Sequence, residues 1–258
     1  MSNYSDEHKE FLRKIKIRNI SLHLISFLII IICIVIWQIL ADNNYINTFL
    51  FSSPYKIFTT TYNLLVKENL IKHIGITFFE VLISFVISGV VGILIASIMW
   101  WSKTIQKIID PYITVLNSLP KVALGPLIII WFGASIKSIV FMSLLISIFI
   151  IIINTYQNFI TTDNNLIIMA RSFGASKWQI FKYIVFPSNY SNIISTFKIS
   201  ISMNLIGVIM GELLVSKKGL GYLIMYGSQV FNIDLVISCV FILGVISFLM
   251  YYLLNKIK

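Results

Sequence analysis

The chain alternates between long apolar runs and short polar segments. A helix needs about 20 mostly apolar residues to cross the hydrocarbon core of a bilayer. The pattern therefore predicts an all-α fold, a polytopic membrane helix bundle of about six transmembrane helices in a single domain covering residues 20–258, after a basic N-terminal segment, 1–19. The predicted spans are Ile20–Leu40, Gly75–Trp100, Pro111–Phe132, Ile136–Asn154, Ile193–Val215 and Leu235–Leu254.

The composition agrees with lipid as the main solvent of the chain. Hydrophobic residues make up 58% of the 258 residues and charged residues only 12%, about half the charged share of a soluble domain. The net charge of +10 would also suit a nucleic-acid-binding protein. However, Lys and Arg lie mainly in the short segments that flank the apolar runs, as they do in membrane proteins.

The basic residues also orient the predicted spans. Six spans place both termini on one side, and with the N-terminus inside, the inner segments carry more Lys and Arg than the outer ones. We therefore expect a multi-pass protein of a bacterial plasma membrane with both termini in the cytoplasm. The run after Ile20 is too long for a signal-peptide core, and no A-x-A-like cleavage site follows it, so we expect it to be retained as the first span.

One hydrophilic stretch, MARSFGASKWQIFKYIVFP, interrupts the apolar pattern on the predicted cytoplasmic side. Asp163 is placed to cap a short helix from Asn164 to Phe173, and Gly174 follows where a left-handed residue is expected. Ser176 and Gln179 have the spacing of a capping box that starts a second helix, which Pro187 is expected to stop. The pattern predicts a helix–turn–helix hairpin that either lies on the lipid surface or contacts a protein partner.

The spacing in this stretch resembles the coupling loop of permease subunits of binding-protein-dependent ABC importers. In that family the pattern is E-A-A, three residues, G, nine residues, I, one residue and L-P. Ala170, Gly174, Ile184 and Phe186-Pro187 match it, whereas Ile168 and Met169 stand where the family has glutamate and its first alanine. Two further segments, LPKVALGPLIIIWFGAS and GELLVSKKGLGYLI, resemble the nitrate, sulfonate and taurine branch of these permeases.

The resemblance implies a type I ABC importer permease-like fold with a cytoplasmic coupling helix pair at about residues 155–192. It implies a homodimer that forms the translocation path, ABC ATPase subunits that bind ATP and Mg on the cytoplasmic face, and an extracytoplasmic solute-binding protein. The expected solute is a small anion such as nitrate, a sulfonate or taurine, or alternatively a vitamin precursor or another small metabolite. The residues expected to couple to the ATPase are Ala170, Phe173, Gly174, Ala175, Ser176 and Pro187.

Polar residues within the spans are candidates for the translocation path, because they are costly to place in lipid. Lys121, with Asn117 and Ser118, either faces a water-accessible section of the path or snorkels to the interface. Asn204 either faces the path or hydrogen-bonds between helices. Glu212 is either a gate or subunit-contact residue, or a partner of Lys217 or Lys218. Glu80 is expected at the membrane interface, near His73 or Lys72.

No motif in the chain predicts catalysis. There is no G-x-x-x-x-G-K-[ST] loop for ATP, and His8, His23 and His73 are too scattered for a metal site. We therefore expect neither an enzyme nor a bound cofactor or metal. Two other classes stay open: a membrane anchor subunit of an enzyme complex, and a self-sufficient channel or secondary transporter.

Overall fold

The structure, a computed structural model, describes residues 6–67 and 69–256, with the side chains of 6–12, 16, 17, 19, 20, 23 and 26 left out. The described part of the chain is all helical. The helices are α1 (Asp6–Asp42), α2 (Thr48–Phe51), α3 (Pro54–Lys67), α4 (Leu70–Trp101), α5 (Lys103–Ser118), α6 (Gly125–Phe132), α7 (Ile136–Ile160), α8 (Asn164–Ser172), α9 (Lys177–Ile180), α10 (Phe186–Ser188), α11 (Tyr190–Val215), α12 (Leu220–Gln229) and α13 (Ile233–Lys256). A 3₁₀ turn at Lys121–Leu124 precedes α6, and a π turn at Phe181–Val185 precedes α10.

Four helices among the described residues are long and apolar enough to cross a membrane: α4, α7, α11 and α13. A fifth crossing exists if α5 and the Lys121–Phe132 segment count as one broken span. Within the described side chains of α1, the apolar portion Phe27–Asp42 is shorter than these four spans. The predicted all-helical membrane bundle is therefore confirmed, although its six apolar runs do not all form straight spans.

The third predicted span is bent rather than continuous. Its two halves meet at 86°, and Pro120 lies at the break, just before the 3₁₀ turn. The expectation that this span begins at Pro111 is wrong, because α5 already begins at Lys103 and contains Pro111. Ser102 caps α5: its hydroxyl oxygen accepts a hydrogen bond from the backbone N–H of Ile105 at 3.3 Å.

The centre of the bundle is formed by α4, α7 and α11, which pack through small residues. A Cβ on Gly92 would lie 2.6 Å from Cγ2 of Ile151, and one on Gly211 would lie 2.8 Å from Cα of Ile139. Both distances are shorter than van der Waals contact, so only glycine permits these helices to approach so closely. Close approach through small residues is the usual basis of helix association in lipid.

Candidate functional site

The hydrophilic stretch forms a hairpin that is closed by backbone hydrogen bonds. Asp163 caps α8 by accepting a hydrogen bond from the backbone N–H of Asn165 at 2.9 Å. At the other end, the N–H of Ala175 donates to Ala170 O (3.0 Å) and the N–H of Gly174 to Arg171 O (2.9 Å). These two bonds are the Schellman pattern, and Gly174 has the left-handed φ of +78° that the pattern requires. The predicted glycine turn is confirmed.

The second half of this hairpin begins with the predicted capping box. The N–H of Ser176 donates to Oε1 of Gln179 at 2.7 Å, and the N–H of Gln179 donates to Oγ of Ser176 at 3.3 Å. Because the backbone N–H groups of Ser176 and Gln179 are both bonded to side chains of the hairpin, α9 begins at a fixed position after the turn. We call residues 163–188 the capped hairpin.

Pro187 does not stop the second helix, so that expectation is wrong. The chain widens into the π turn at Phe181–Val185 and continues helically through Pro187 to Ser188. A proline has no N–H and collides with the carbonyl of the preceding turn, and a π turn is a known way to accommodate such a break. The helix instead ends at Asn189, whose Nδ2 donates to Thr162 Oγ1 (2.7 Å) and Val185 O (2.8 Å).

The two sides of the capped hairpin differ in exposure. Ala170 and Ala175 pack half-buried against the cluster that contains Ile180 and Val185. Other large apolar side chains of the hairpin are exposed: Phe173 by 85%, and Trp178 by 57% although its ring lies 6.3 Å from that of Trp101. Of the predicted coupling residues, the two alanines therefore hold the hairpin to its own protein, whereas Phe173 points outward.

Lys177 connects the capped hairpin to the membrane helix α4. Its ammonium group donates a hydrogen bond to the carbonyl of Trp101, the last residue of α4. It also lies 5.6 Å from the ring centroid of Trp100 and 5.5 Å from that of Trp101, a cation–π arrangement. A lysine at a helix C-terminus is favoured by the helix dipole, so Lys177 fixes the position of the hairpin relative to α4.

Asn117, Ser118 and Lys121, the first group of predicted path residues, form hydrogen bonds to residues close to them in the chain. Nζ of Lys121 donates to the backbone oxygen of Asn117 (2.6 Å) and to its side-chain Oδ1 (3.0 Å). It also lies 5.8 Å from the ring centroid of Phe149. Ser118 donates to Val115 O at 2.8 Å. Lys121 thus closes the C-terminal end of α5, next to the bend.

Asn204 is fully buried and joins three helices. Its Oδ1 accepts hydrogen bonds from Ser143 and Ser147 of α7, both at 2.9 Å, and its Nδ2 donates to Ser88 of α4 at 3.2 Å. Nδ2 also donates to the backbone oxygen of Ser200. Of the two alternatives for Asn204, interhelical hydrogen bonding is the one observed.

Glu212 is buried at the end of α11 and holds the start of α12. Its Oε2 accepts from the N–H of Gly221 at 2.6 Å, and its Oε1 accepts from the hydroxyl of Thr77 at 2.7 Å. A Cβ on Gly221 would lie 2.7 Å from Cβ of Glu212, so this approach requires glycine. No hydrogen bond joins Glu212 to Lys217 or Lys218 among the described residues, and that alternative is wrong.

A polar network that the residue pattern did not predict surrounds Glu212. The N–H of Leu220 donates to Oγ1 of Thr77 (2.9 Å), and the N–H of Gly219 donates to Nδ1 of His73 (3.0 Å). Glu80, which is expected at the membrane interface, is 1% exposed within the protein and lies next to Glu212. The signal was a polar stripe at helical spacing along α4, formed by His73, Thr77, Glu80, Ser84 and Ser88.

None of these arrangements is a catalytic or metal site. No group of three or more His, Cys, Asp or Glu is placed to hold a metal ion in the described part of the chain. The polar groups of Asn204, Glu212 and Lys121 are bound to backbone or to other side chains and fix helices. Together with the membrane-length helices, these contacts describe a multi-pass helical bundle that carries the capped hairpin at one end.

Comparison with known proteins places the chain in a family. Residues 88–257 match the family described as binding-protein-dependent transport system inner membrane component. The chain belongs to this family and is the permease component of an ABC transporter, a multi-pass inner-membrane protein that works with an ATPase and a solute-binding protein. The resemblance read from residues 170–187 is therefore confirmed, as is the expectation that the chain itself has no catalytic activity and no cofactor.

Similar proteins cover nearly the whole chain. It is 29% identical over 232 residues to the formylaminopyrimidine transport permease protein ThiX of Halalkalibacterium halodurans, covering 90% of this chain and 92% of that protein. It is 27% identical over 224 residues to the putative aliphatic sulfonates transport permease protein SsuC of Escherichia coli, covering 87% and 82%. The fold is similar to a chain of the inward-facing MetNI methionine ABC transporter, with a TM-score of 0.65 at 14% identity, over 74% of this chain and 97% of that chain.

Proposed function

We propose that this chain forms the translocation path of an ATP-driven importer and receives an ATPase subunit on its capped hairpin. The observation that carries the proposal is the exposure of Phe173 and Trp178 on a hairpin whose backbone is fixed from both sides. Exposed aromatic side chains on a rigid polar element are typical of a protein–protein contact. The lipid surface is the competing partner for these side chains.

The proposed coupling runs from the hairpin into the bundle. Lys177 binds the end of α4, and Ala170 and Ala175 pack on the cluster that includes Ala96 of α4 and Ile193 of α11. A displacement of the hairpin by the ATPase therefore acts directly on two of the three central helices. In this proposal, nucleotide binding to the ATPase biases the bundle between inward-open and outward-open states.

The proposed assembly is a homodimer of this chain with two ATPase subunits and one solute-binding protein, and both termini face the cytoplasm. The bias of Lys and Arg toward the hairpin side supports this orientation. Two relatives at similar identity carry different solute names, formylaminopyrimidine and aliphatic sulfonates. The ammonium group of Lys121, a candidate path residue whose charge is compatible with an anion, is bound to Asn117. We therefore propose a small organic solute and do not require it to be an anion.

Co-purification tests the proposed assembly. The tagged chain is purified in mild detergent from its native host, so that an ATPase and a solute-binding protein expressed there can assemble with it. We expect two permease and two ATPase chains per particle by light scattering and quantitative staining, with ATP-dependent solute uptake after reconstitution. Solute flux from the chain alone would favour a channel or secondary transporter, and co-purification with an enzyme instead of an ATPase would favour a membrane anchor.

A further inference from the structure

A cavity lies between the capped hairpin and the ends of two membrane helices. Its volume is about 450 Å³. Trp100, near the end of α4, and Ile160, the last residue of α7, line it from the bundle side, and Arg171 and Lys177 line it from the hairpin. Both long apolar helices end here, and Trp is frequent at the membrane–water interface. The cavity therefore lies at the level where the bilayer meets water.

Three cations line this cavity, and no carboxylate does so among the described residues. Lys103 belongs to the first turn of α5, whereas Arg171 and Lys177 belong to the capped hairpin. Asp163, the one acidic residue of the hairpin, is not part of the lining, and its carboxylate accepts a hydrogen bond from the N–H of Asn165. We call this space the basic cavity.

Two of the three cations have no partner in the protein. Lys177 binds the backbone oxygen of Trp101 and lies near the rings of Trp100 and Trp101. The side chains of Lys103 and Arg171 are exposed and form no hydrogen bond or ion pair within the part of the chain that the structure describes. A guanidinium and an ammonium group that line the same space offer several N–H donors to one oxyanion, and the planar fork of Arg matches a phosphate group.

Most of the remaining lining is apolar, and it continues along a membrane helix. Phe159 and Ile180 form part of the cavity wall. Ile160, which also lines the cavity, is 49% exposed, and Ile153 of the same helix is 36% exposed. Residues seven positions apart lie on nearly the same face of a helix, so an exposed apolar surface runs from the cavity into the span of α7. Such a surface suits an acyl chain.

We propose that the basic cavity binds an anionic phospholipid, with its phosphate group between Lys103 and Arg171 and an acyl chain along α7. Basic pockets between membrane helices on the cytoplasmic side take anionic headgroups in other proteins. A zwitterionic phospholipid brings its own cationic group into a cavity that has three cations and no carboxylate, so it binds less well. The bound lipid links α5 to the capped hairpin, whether or not the hairpin receives an ATPase.

Two phospholipids that differ only in the headgroup test the proposal. The full chain is purified and delipidated in detergent, and native mass spectrometry measures the binding of phosphatidylglycerol and of phosphatidylcholine, both with palmitoyl and oleoyl chains. We expect phosphatidylglycerol to bind at least about tenfold more tightly, the ratio that one hydrogen bond to a charged group produces. Glycerophosphoglycerol, the same headgroup without acyl chains, should not displace it even in large excess.

Two double variants assign this preference to the basic cavity. Lys103→Gln with Arg171→Gln removes the two unpartnered cations. The control, Lys107→Gln with Lys182→Gln, removes two exposed cations from the same two elements, α5 and the capped hairpin, at positions that do not line the cavity. We expect the first double variant to lose the preference for phosphatidylglycerol and the control to keep it. No buried residue is changed, so both should unfold at the wild-type temperature in the absence of lipid.

Several results would overturn the proposal. They are equal affinity of the wild type for the two lipids, an unchanged preference in the cavity variant, and an equal loss of preference in the control. Displacement by glycerophosphoglycerol would also overturn it, because the ligand would then be a soluble phosphodiester. If the cavity variant does not fold, Lys103→Gln alone is measured against Lys107→Gln with the same expectation. None of these measurements involves an ATPase, so failure of the proposed function would appear separately, as a purified complex that lacks the ATPase.

Discussion

Glu212 accepts a hydrogen bond from the backbone N–H of Gly221 at 2.6 Å and thereby joins the end of α11 to the start of α12. The same carboxyl group binds Thr77 on α4. Because the first N–H groups of α12 have no partner within their own helix, Glu212 and Thr77 serve as an N-cap supplied from elsewhere in the chain. Three helices therefore depend on one buried carboxyl group.

Replacing Glu212 by alanine should destabilise the protein. The change leaves the N–H of Gly221 and the hydroxyl of Thr77 buried without their acceptor, which costs about 1–3 kcal/mol for each group. We expect a lower unfolding temperature in detergent and faster amide hydrogen exchange at Leu220 and Gly221. The matched variant Asp163→Ala removes an exposed cap and should lower stability by only about 1 kcal/mol. Equal unfolding temperatures for Glu212→Ala and wild type would contradict the capping role.

Substitutions at Phe173 and Ile180 should distinguish binding of the ATPase from the stability of the chain itself. Phe173 is 85% exposed and Ile180 is 3% exposed, although they lie seven residues apart in the same hairpin. We expect Phe173→Ala to leave the unfolding temperature of the isolated chain unchanged and to reduce the amount of ATPase that co-purifies. Ile180→Ala should lose about 2–5 kcal/mol of stability, as is usual for a core truncation of this size. Unchanged ATPase recovery with Phe173→Ala would contradict a role of Phe173 in the ATPase contact.

Asn204→Ala tests whether Asn204 holds the bundle or lines the path. The change removes the interhelical bonds to Ser88, Ser143 and Ser147. Such bonds contribute about 0.6 kcal/mol on average in membrane proteins, with a maximum near 1.7. We expect a loss of about 1–2 kcal/mol in the free energy of unfolding, measured by thermal or denaturant unfolding. Asn165→Ala, at an exposed position of α8, is the control. Reduced transport at unchanged stability would indicate a path residue instead.

Local signals in the sequence predicted the hairpin correctly. The Asp163 cap, the glycine turn and the capping box from Ser176 depend on residues close together in the chain, and all three are observed. The continuation of the helix through Pro187 was not predictable from neighbouring residues. A proline usually ends a helix, and the π turn before it forms where the chain also packs Val185 and Phe181 against Phe159 and Trp100.

Long-range contacts explain the errors in the bundle. The sequence places His73 and Lys72 near Glu80, but the carboxyl group that neighbours Glu80 is that of Glu212 on another helix. Lys217 and Lys218 were likewise the nearest cations to Glu212 along the chain, yet its partners are Thr77 and Gly221. A single sequence gives the polar face of α4 from its spacing but not the helix that meets this face.

The most direct test of the central claim is ATP hydrolysis by the reconstituted transporter carrying Gly174→Val. A Cβ at this position meets nothing within 4 Å, so the effect comes only from the left-handed φ of +78°, which costs about 1–2 kcal/mol for an L-residue. Gly174→Asn is the matched control, because asparagine tolerates this conformation. Membrane level and the unfolding temperature of the bundle are measured in parallel.

We expect Gly174→Val to reach the membrane at wild-type level but to lose most of the stimulation of ATP hydrolysis by solute-loaded binding protein. Gly174→Asn should stay close to wild type in both measurements. Full stimulated hydrolysis and full uptake in Gly174→Val would contradict the assignment of the capped hairpin as the element that couples the ATPase to the membrane helices.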